Sequence, residues 1–274
     1  MAVQGGEPPP ASPVRALVND LARRRNPSQA EVLRRFFKTG PGEYGEGDRF
    51  WGLKVPEVRA VLARHPAISL PAAGELLDSP YHEARLLAVL ALVRAYDRGA
   101  AAERRRIFDF YLAHAGRVNN WDLVDLSAPG IAGRHLPPGG GRRVLARLAK
   151  SPVLWERRIA MVATLAHIRQ GDLSNTFWLA ERLLEDREDL MHKAAGWMLR
   201  EAGKRDEAAL EAFLARHAGR MPRTLLRYAI ERLPPARRRD WLQVPKVSRK
   251  EVEKNRKESG RRLRRTGESG RIPQ

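Results

Sequence analysis

The amino-acid sequence reads as an all-α solenoid, a stack of antiparallel helix pairs, on two grounds. Nearly every segment between residues 13 and 243 carries apolar residues at helical spacing, and none alternates as a strand does. Three segments also share a pattern of polar entry followed by an apolar stripe: HEARLLAVLAL from His82, WERRIAMVATL from Trp155 and MHKAAGWMLRE from Met191. Their starts lie 73 and 36 residues apart, a period of about 36 with one repeat skipped. The skipped repeat should begin near residue 119, where NNWDLVDLSAP stands. Two helices per period of this length predict a HEAT-like α-solenoid, whose repeats bury their faces only by stacking and leave a concave surface.

Taken in order, residues 1–12 are rich in Pro and Gly and are expected to be disordered. Ala16, Val18 and Leu21 form the apolar face of a first helix that ends near Asn26-Pro27. Ser28 can cap a second, with Val32, Leu33, Phe36 and Phe37 turned inward and a stop at Thr39-Gly40. Residues 40–56, GPGEYGEGDRFWGLKVP, form a loop with five glycines. It lacks the Gly-Lys-Ser/Thr ending of a phosphate-binding loop, which excludes nucleotide binding there. Pro56 opens a helix running through Leu62, and partner helices are expected at 101–114, 141–150 and 174–184. In the skipped repeat Asn119 is a candidate N-cap with Asp122 three positions on, and Pro129 kinks or stops the helix. The last helices fall between Pro222 and Leu242, separated at Pro234-Pro235. The folded domain therefore spans 13–243, followed by a basic tail at 244–274 with almost no apolar residues, expected to be disordered unless bound to a polyanion.

Charge narrows the partner. Lys and Arg number 51 against 32 Asp and Glu, a net charge of +19. The tail holds 11 basic and 4 acidic residues, so the first 243 residues still carry +12. A basic body as well as a basic tail points to a polyanion, most simply nucleic acid, and more weakly to an anionic membrane surface. No run reaches the roughly 20 apolar residues of a membrane span. The first residues have Pro and Gly where a signal peptide needs an apolar stretch. Together with the absence of cysteine, this makes a cytoplasmic protein the expectation. The seven histidines lie at least 17 residues apart with no His-Glu-x-x-His pair, and no Gly-x-Ser-x-Gly elbow occurs. Neither a metal nor a cofactor is expected.

Trp121 and Asp125 are four residues apart, which sets them one turn apart on one helix face. In a solenoid Trp121, Asp125, Arg158 and Trp197 could converge from three consecutive repeats onto the concave side. Each also has a structural reading, because buried indoles and Arg–Asp ion pairs are common in helical cores.

Five segments in order carry a further signal: FFKTGPGEYGEGDRFWGLKVPEVR, NNWDLVDLSAP, WERRIAMVATLAHIRQGD, HKAAGWMLREAGKRD and MPRTLLRYAIERL. From about Ala30 to Leu233 the chain closely resembles the DNA alkylation repair family, the AlkD-like HEAT-repeat DNA glycosylases. The resemblance implies removal of cationic alkylated bases such as 3-methyladenine and 7-methylguanine from double-stranded DNA while the base stays stacked, and a monomer is expected. It matches the family's aromatic and catalytic carboxylate to Trp121 and Asp125, its arginine to Arg158 and its second tryptophan to Trp197. DNA contacts are expected at Arg158, Arg200, Lys193, Lys54 and Phe37. Where characterised members can carry a second aromatic before the matching tryptophan, this chain has Asn120.

The residue set suits the chemistry. An N3- or N7-alkylated purine is already cationic and leaves without a general acid, while positive charge develops on the sugar. A carboxylate about 4 Å from that charge gains roughly 4 kcal/mol at an effective dielectric of 20. If that gain is confined to the transition state, it is worth about a thousandfold in rate. Trp121 and Trp197 can offer π-faces to the cation, and Arg158 can grip a flanking phosphate and hold Asp125 ionised. Two rivals are a non-catalytic HEAT-repeat protein that binds distorted or branched DNA, and a HEAT scaffold for proteins.

Overall fold

The computed structural model describes residues 13–65 and 67–247. The disorder expected of 1–12 and of the tail beyond residue 247 lies outside the described residues. Among those described there are 14 α-helices and no strand; a single bridge pairs Arg49 with Tyr81. The all-α solenoid class therefore holds. The chain divides into two compact units, the first ending at Leu179.

The first unit contains α1 (Pro13–Ala22), α2 (Pro27–Phe36), α3 (Val55–Arg64), α4 (Leu70–Leu77) and α5 (His82–Arg98). It continues through α6 (Ala101–Ala113), α7 (Trp121–Ser127), α8 (Arg142–Ala149) and α9 (Leu154–Arg169) into α10 (Ser174–Arg182). The starts of α5, α7 and α9 are 39 and 33 residues apart, on either side of the expected period. α5 and α9 are apolar on nearly every side and are buried almost throughout residues 82–92 and 158–168, as central helices must be. α7 packs against both; α3 and α4 pack on α5, and α8 on α9.

Three local expectations change. The buried face of α1 is Val14, Leu17 and Leu21, so Ala16 and Val18 lie off it. In α2 the cap is Asn26, whose side chain accepts the Gln29 N–H, with Pro27 at the first helical position. That helix ends at Phe36, with Phe37 as its C-cap and Lys38 left-handed beyond it (φ 52°); Val32 and Phe36 are exposed, and Phe37 is buried. α4, opened by a Ser69 cap and Pro71, was not anticipated at all.

The glycine-rich loop before α3 is tied to α5 by one buried carboxylate. Glu83 accepts the backbone N–H groups of Trp51, Gly52 and Leu53 at 3.1, 2.8 and 3.1 Å. These consecutive donors form the kind of nest that elsewhere holds an anion, and here the anion is internal. Gly52 has φ 92°, and a Cβ there would stand 2.1 Å from the Asn26 carbonyl oxygen. The loop thus presses on the start of α2 where only glycine fits. Glu83→Ala strips the acceptor from three buried donors at about 1–3 kcal/mol each. A loss of about 3 kcal/mol or more is expected in urea unfolding; an unchanged midpoint would contradict this role.

α7 gives way to a wide turn at Pro129–Gly133, closed by the Gly133 N–H on the Ala128 carbonyl at 2.8 Å. Pro129 has no N–H to continue the α pattern, so the stop expected there takes this form. The turn packs on α9. Gly133 makes this possible, since a Cβ would lie 2.2 Å from the Ala163 carbonyl oxygen.

The second unit holds α11 (Asp189–Gly203), α12 (Glu207–His217), α13 (Arg223–Ala229) and α14 (Pro235–Gln243). α11 packs on α12 and α13, and its Gly196 lets the α13 backbone approach: a Cβ there would meet the Leu225 carbonyl oxygen at 2.6 Å. α12 was likewise not singled out from the sequence. Among the described residues no helix is long and apolar enough to cross a membrane, and no group of three or more acidic or histidine side chains could hold a metal ion.

Candidate functional site

α7 owes its position to its first residues. Asn120, not Asn119, is the cap, and its side-chain oxygen accepts the Trp121 N–H at 2.8 Å. Its amide also donates to Asp48 of the glycine-rich loop at 3.4 Å. Asp48 is a hub. It is paired with Arg85 at 2.6 Å and with His82 Nδ1 at 3.3 Å, while His82 Nε2 meets Asp122 of α7 at 2.8 Å. A loop, the start of α5 and the start of α7 are thereby locked together by buried charges.

Burial opposes the charge of His82, but Asp122 and Asp48 outweigh it and raise the imidazole to about 9. The sign follows directly. His82 is charged in the folded state over a range where it would be neutral unfolded. Its contribution is complete below pH about 6.5, is lost as pH rises through about 9, and amounts to about 3 kcal/mol. Unfolding free energies measured across that window should fall with rising pH, and His82→Gln should remove most of the slope. An equal slope in the variant would assign the effect elsewhere.

On this frame sits a cavity of about 390 Å³. Its walls are largely apolar and include Leu33, Phe36, Phe37, Phe50 and Trp121, with Asp125, Asp122, His82 and Lys54 as the ionisable groups. Trp121 stacks on Phe37 at 5.4 Å between ring centroids and meets Phe36 edge-on at 5.7 Å. Phe37 in turn stacks on Phe50, and both lie against the His82 ring.

Asp125 is held from α9. Arg158 donates Nε to one carboxylate oxygen at 3.0 Å and Nη2 to the other at 2.9 Å, a bidentate pair. Arg158 is only 4% exposed, so its guanidinium is committed to the carboxylate rather than displayed on an open surface. The Asp125 side chain keeps 18% exposure. Burial pushes its carboxyl above the usual range, against the downward pull of Arg158's charge and hydrogen bonds. The site therefore holds an acid that burial would neutralise and an arginine that favours its anion.

The other sequence candidates are placed as follows. Lys54 caps α3, exposed at the cavity edge, with its backbone N–H on Glu57 at 2.8 Å. Phe37, expected as a DNA contact, is buried at 6% in the aromatic cluster; the ring that faces outward is its neighbour Phe36, 59% exposed. Trp197 lies half-buried on α11 in the second unit. On the same helix Arg200 pairs with Glu231 and Glu201, and Lys193 with Asp189. The structure thus brings Trp121, Asp125, Arg158, Lys54 and Phe37 together in the first unit, with Trp197, Arg200 and Lys193 sharing α11 in the second.

Sequence reasoning missed Asp48, His82 and Phe50. It also missed a second depression that shares Leu126 with the cavity and is lined by Arg59, Arg94 and Arg98. Arg94 is engaged with the Leu62 and His65 carbonyls, while Arg59 and Arg98 are exposed.

Comparison with known proteins agrees with this architecture. A solved structure described as a predicted DNA alkylation repair enzyme from Enterococcus faecalis superposes with a TM-score of 0.60 at 17% sequence identity. The match covers 77% of this chain and 97% of that one, a likeness of fold. No curated protein matches the sequence. The family model described as DNA alkylation repair enzyme matches residues 17–233, most of the chain and both units, and the protein belongs to that family.

Proposed function

We propose that the protein is a DNA glycosylase that hydrolyses the N-glycosidic bond of cationic alkylated purines, of the 3-methyladenine and 7-methylguanine type, in duplex DNA. Membership of the family gives DNA repair as the role and DNA as the partner. The observation that carries the finer reading is Asp125, an arginine-held carboxylate on the wall of an aromatic cavity in a chain of net charge +19. A protein that only gripped phosphates would gain nothing from an anion there, which disfavours a non-catalytic binder of distorted DNA.

The glycosidic electron pair leaves with the base and neutralises it, so no proton need be delivered to the leaving group. Positive charge grows on the sugar, and Asp125 stabilises it electrostatically. Water adds to the anomeric carbon from the face Asp125 commands, and its proton passes to the carboxylate and on to solvent. Trp121 offers a π-face to the developing cation. Arg158 keeps Asp125 ionised and oriented. Arg59 and Arg98 join Lys54, Lys193 and Arg200 as phosphate contacts. The enzyme acts as a monomer, without metal or cofactor.

Chromatographic assay of bases released from methylated duplex tests this reading, alongside a gel shift on the same DNA. Salt-sensitive binding with release of methylpurine supports it, and binding without release beyond the spontaneous rate returns the protein to the non-catalytic alternative.

A further inference from the structure

We infer that α14, the last helix among the described residues, is a lesion-independent contact for the phosphate backbone of duplex DNA, added beyond the region the chain shares with its family. The inference rests on DNA as the partner and not on the glycosylase chemistry, because it concerns undamaged duplex as much as damaged.

The family match ends at residue 233, and α14 begins at Pro235. Its sequence, PARRRDWLQ, buries no residue; Trp241 and Leu242 are half-buried and the others are exposed. So short a helix is marginal in water by itself, and one that is polar nearly all round has no packing reason to form. Polar tethers within the second unit hold it instead. Arg223 of α13 donates to the Leu242 and Val244 carbonyls at 3.0 and 3.3 Å, which satisfies acceptors at the helix end. Arg237 pairs with Glu211 of α12 at 2.8 Å. Past the helix, the Val247 N–H donates to the Gly219 carbonyl at 2.9 Å. A Cβ at Gly219 would stand 2.8 Å from the Val247 side chain, so only glycine admits this approach.

What these tethers present is charge. Successive residues turn by about 100° around a helix, so with Arg237 directed at α12, Arg238 and Arg239 fan out from it, and both are exposed. From Arg232 to Val247 the basic residues are Arg232, Arg237, Arg238, Arg239 and Lys246, against Asp240 alone. Exposed arginines elsewhere are answered on their own helix, Arg34 and Arg35 by Glu31 on α2 and Arg105 by Asp109 on α6. Among the described residues Arg238 and Arg239 have no ion-pair partner. Guanidinium groups held in place and left unpaired are complementary to phosphate, which accepts their paired N–H donors. Such a contact adds affinity equally on intact and damaged duplex, and so serves the search for a lesion rather than its removal.

Arg238→Gln combined with Arg239→Gln tests this on the full chain with undamaged duplex, read by fluorescence anisotropy across a salt series. Loss of both phosphate contacts should lower the slope of log K against log salt by about 1.8, at about 0.9 per contact. Affinity for methylated duplex should fall by the same factor. Arg238→Lys with Arg239→Lys, which keeps the charge, should retain most of the parent slope. Arg143→Gln with Arg147→Gln removes the same charge from exposed positions on α8 of the first unit and should leave the slope as it is. Thermal unfolding shows that each variant is folded.

A parent slope in the α14 glutamine variant, an equal loss from the α8 variant, or a loss confined to methylated duplex would each overturn the inference. So would an unchanged slope with weakened binding to vesicles of phosphatidylcholine and phosphatidylserine, which would make a membrane surface the partner. A slope that falls as expected in a protein that releases no base keeps this contact, while the glycosylase reading is lost.

Discussion

Asp125→Asn is expected to slow release of methylated purines from duplex DNA by about a thousandfold, the loss of roughly 4 kcal/mol between a carboxylate and a sugar cation about 4 Å apart. Binding to the same duplex should be unchanged or tighter, because the substitution removes a negative charge from a surface that meets phosphates. Asparagine keeps the size of the side chain and one acceptor for Arg158, so the cavity retains its shape. Single-turnover release and a gel shift, run side by side, separate the two effects. Release at the parent rate would remove Asp125 from the mechanism.

Arg158→Met carries the second large effect, and it acts on stability and chemistry together. The guanidinium is buried against Asp125 through two hydrogen bonds, and removing it leaves a carboxylate in an apolar wall. Breaking such a pair costs about 3–5 kcal/mol when the remaining group stays charged. The group can escape part of that cost by taking up a proton. Burial already raises the Asp125 carboxyl and Arg158 opposes it, so the variant's carboxyl moves further up. Base release by the variant should accordingly be depressed in mild acid and recover as pH rises. The acid limb of its rate profile should lie at higher pH than that of the parent. An acid limb at the parent position would show that Arg158 does not govern the charge of Asp125.

Much of the fold was legible because its central helices advertise themselves. α5 and α9 are long, apolar on nearly all sides and about two periods apart, which only a stacked core accommodates. α2 was misread for the converse reason. Its Val32 and Phe36 look like core residues in sequence, but they border a cavity and the surface, and periodicity cannot tell a buried apolar face from an exposed one. The cap of α7 slipped by one residue because two asparagines stand in a row and either could start the helix.

The site divides in the same way. The spacing of Trp121 and Asp125 on one helix, and an arginine one repeat later, are local or periodic signals, and the structure does bring those three side chains together. Asp48, His82 and Phe50 carry no such signal. They reach the site through a glycine-rich loop folded onto α5 by Glu83 and through contacts between residues 34 to 72 positions apart. A buried histidine between two aspartates leaves no trace in spacing, since its partners come from different elements. The separation of Phe36 from Phe37, one outward and one in the core, was equally invisible, because two adjacent phenylalanines at a helix end read alike in sequence.

The most direct measurement of the central claim is the pH dependence of single-turnover release of 7-methylguanine from duplex DNA, corrected for spontaneous loss. An anionic carboxylate acting on a base that leaves already charged requires a rate that rises from acid to a plateau, with its midpoint above the ordinary aspartate value. A rate that instead climbs as the solution is acidified would mean that a proton donor drives departure of the base, and the mechanism built on Asp125 would be wrong.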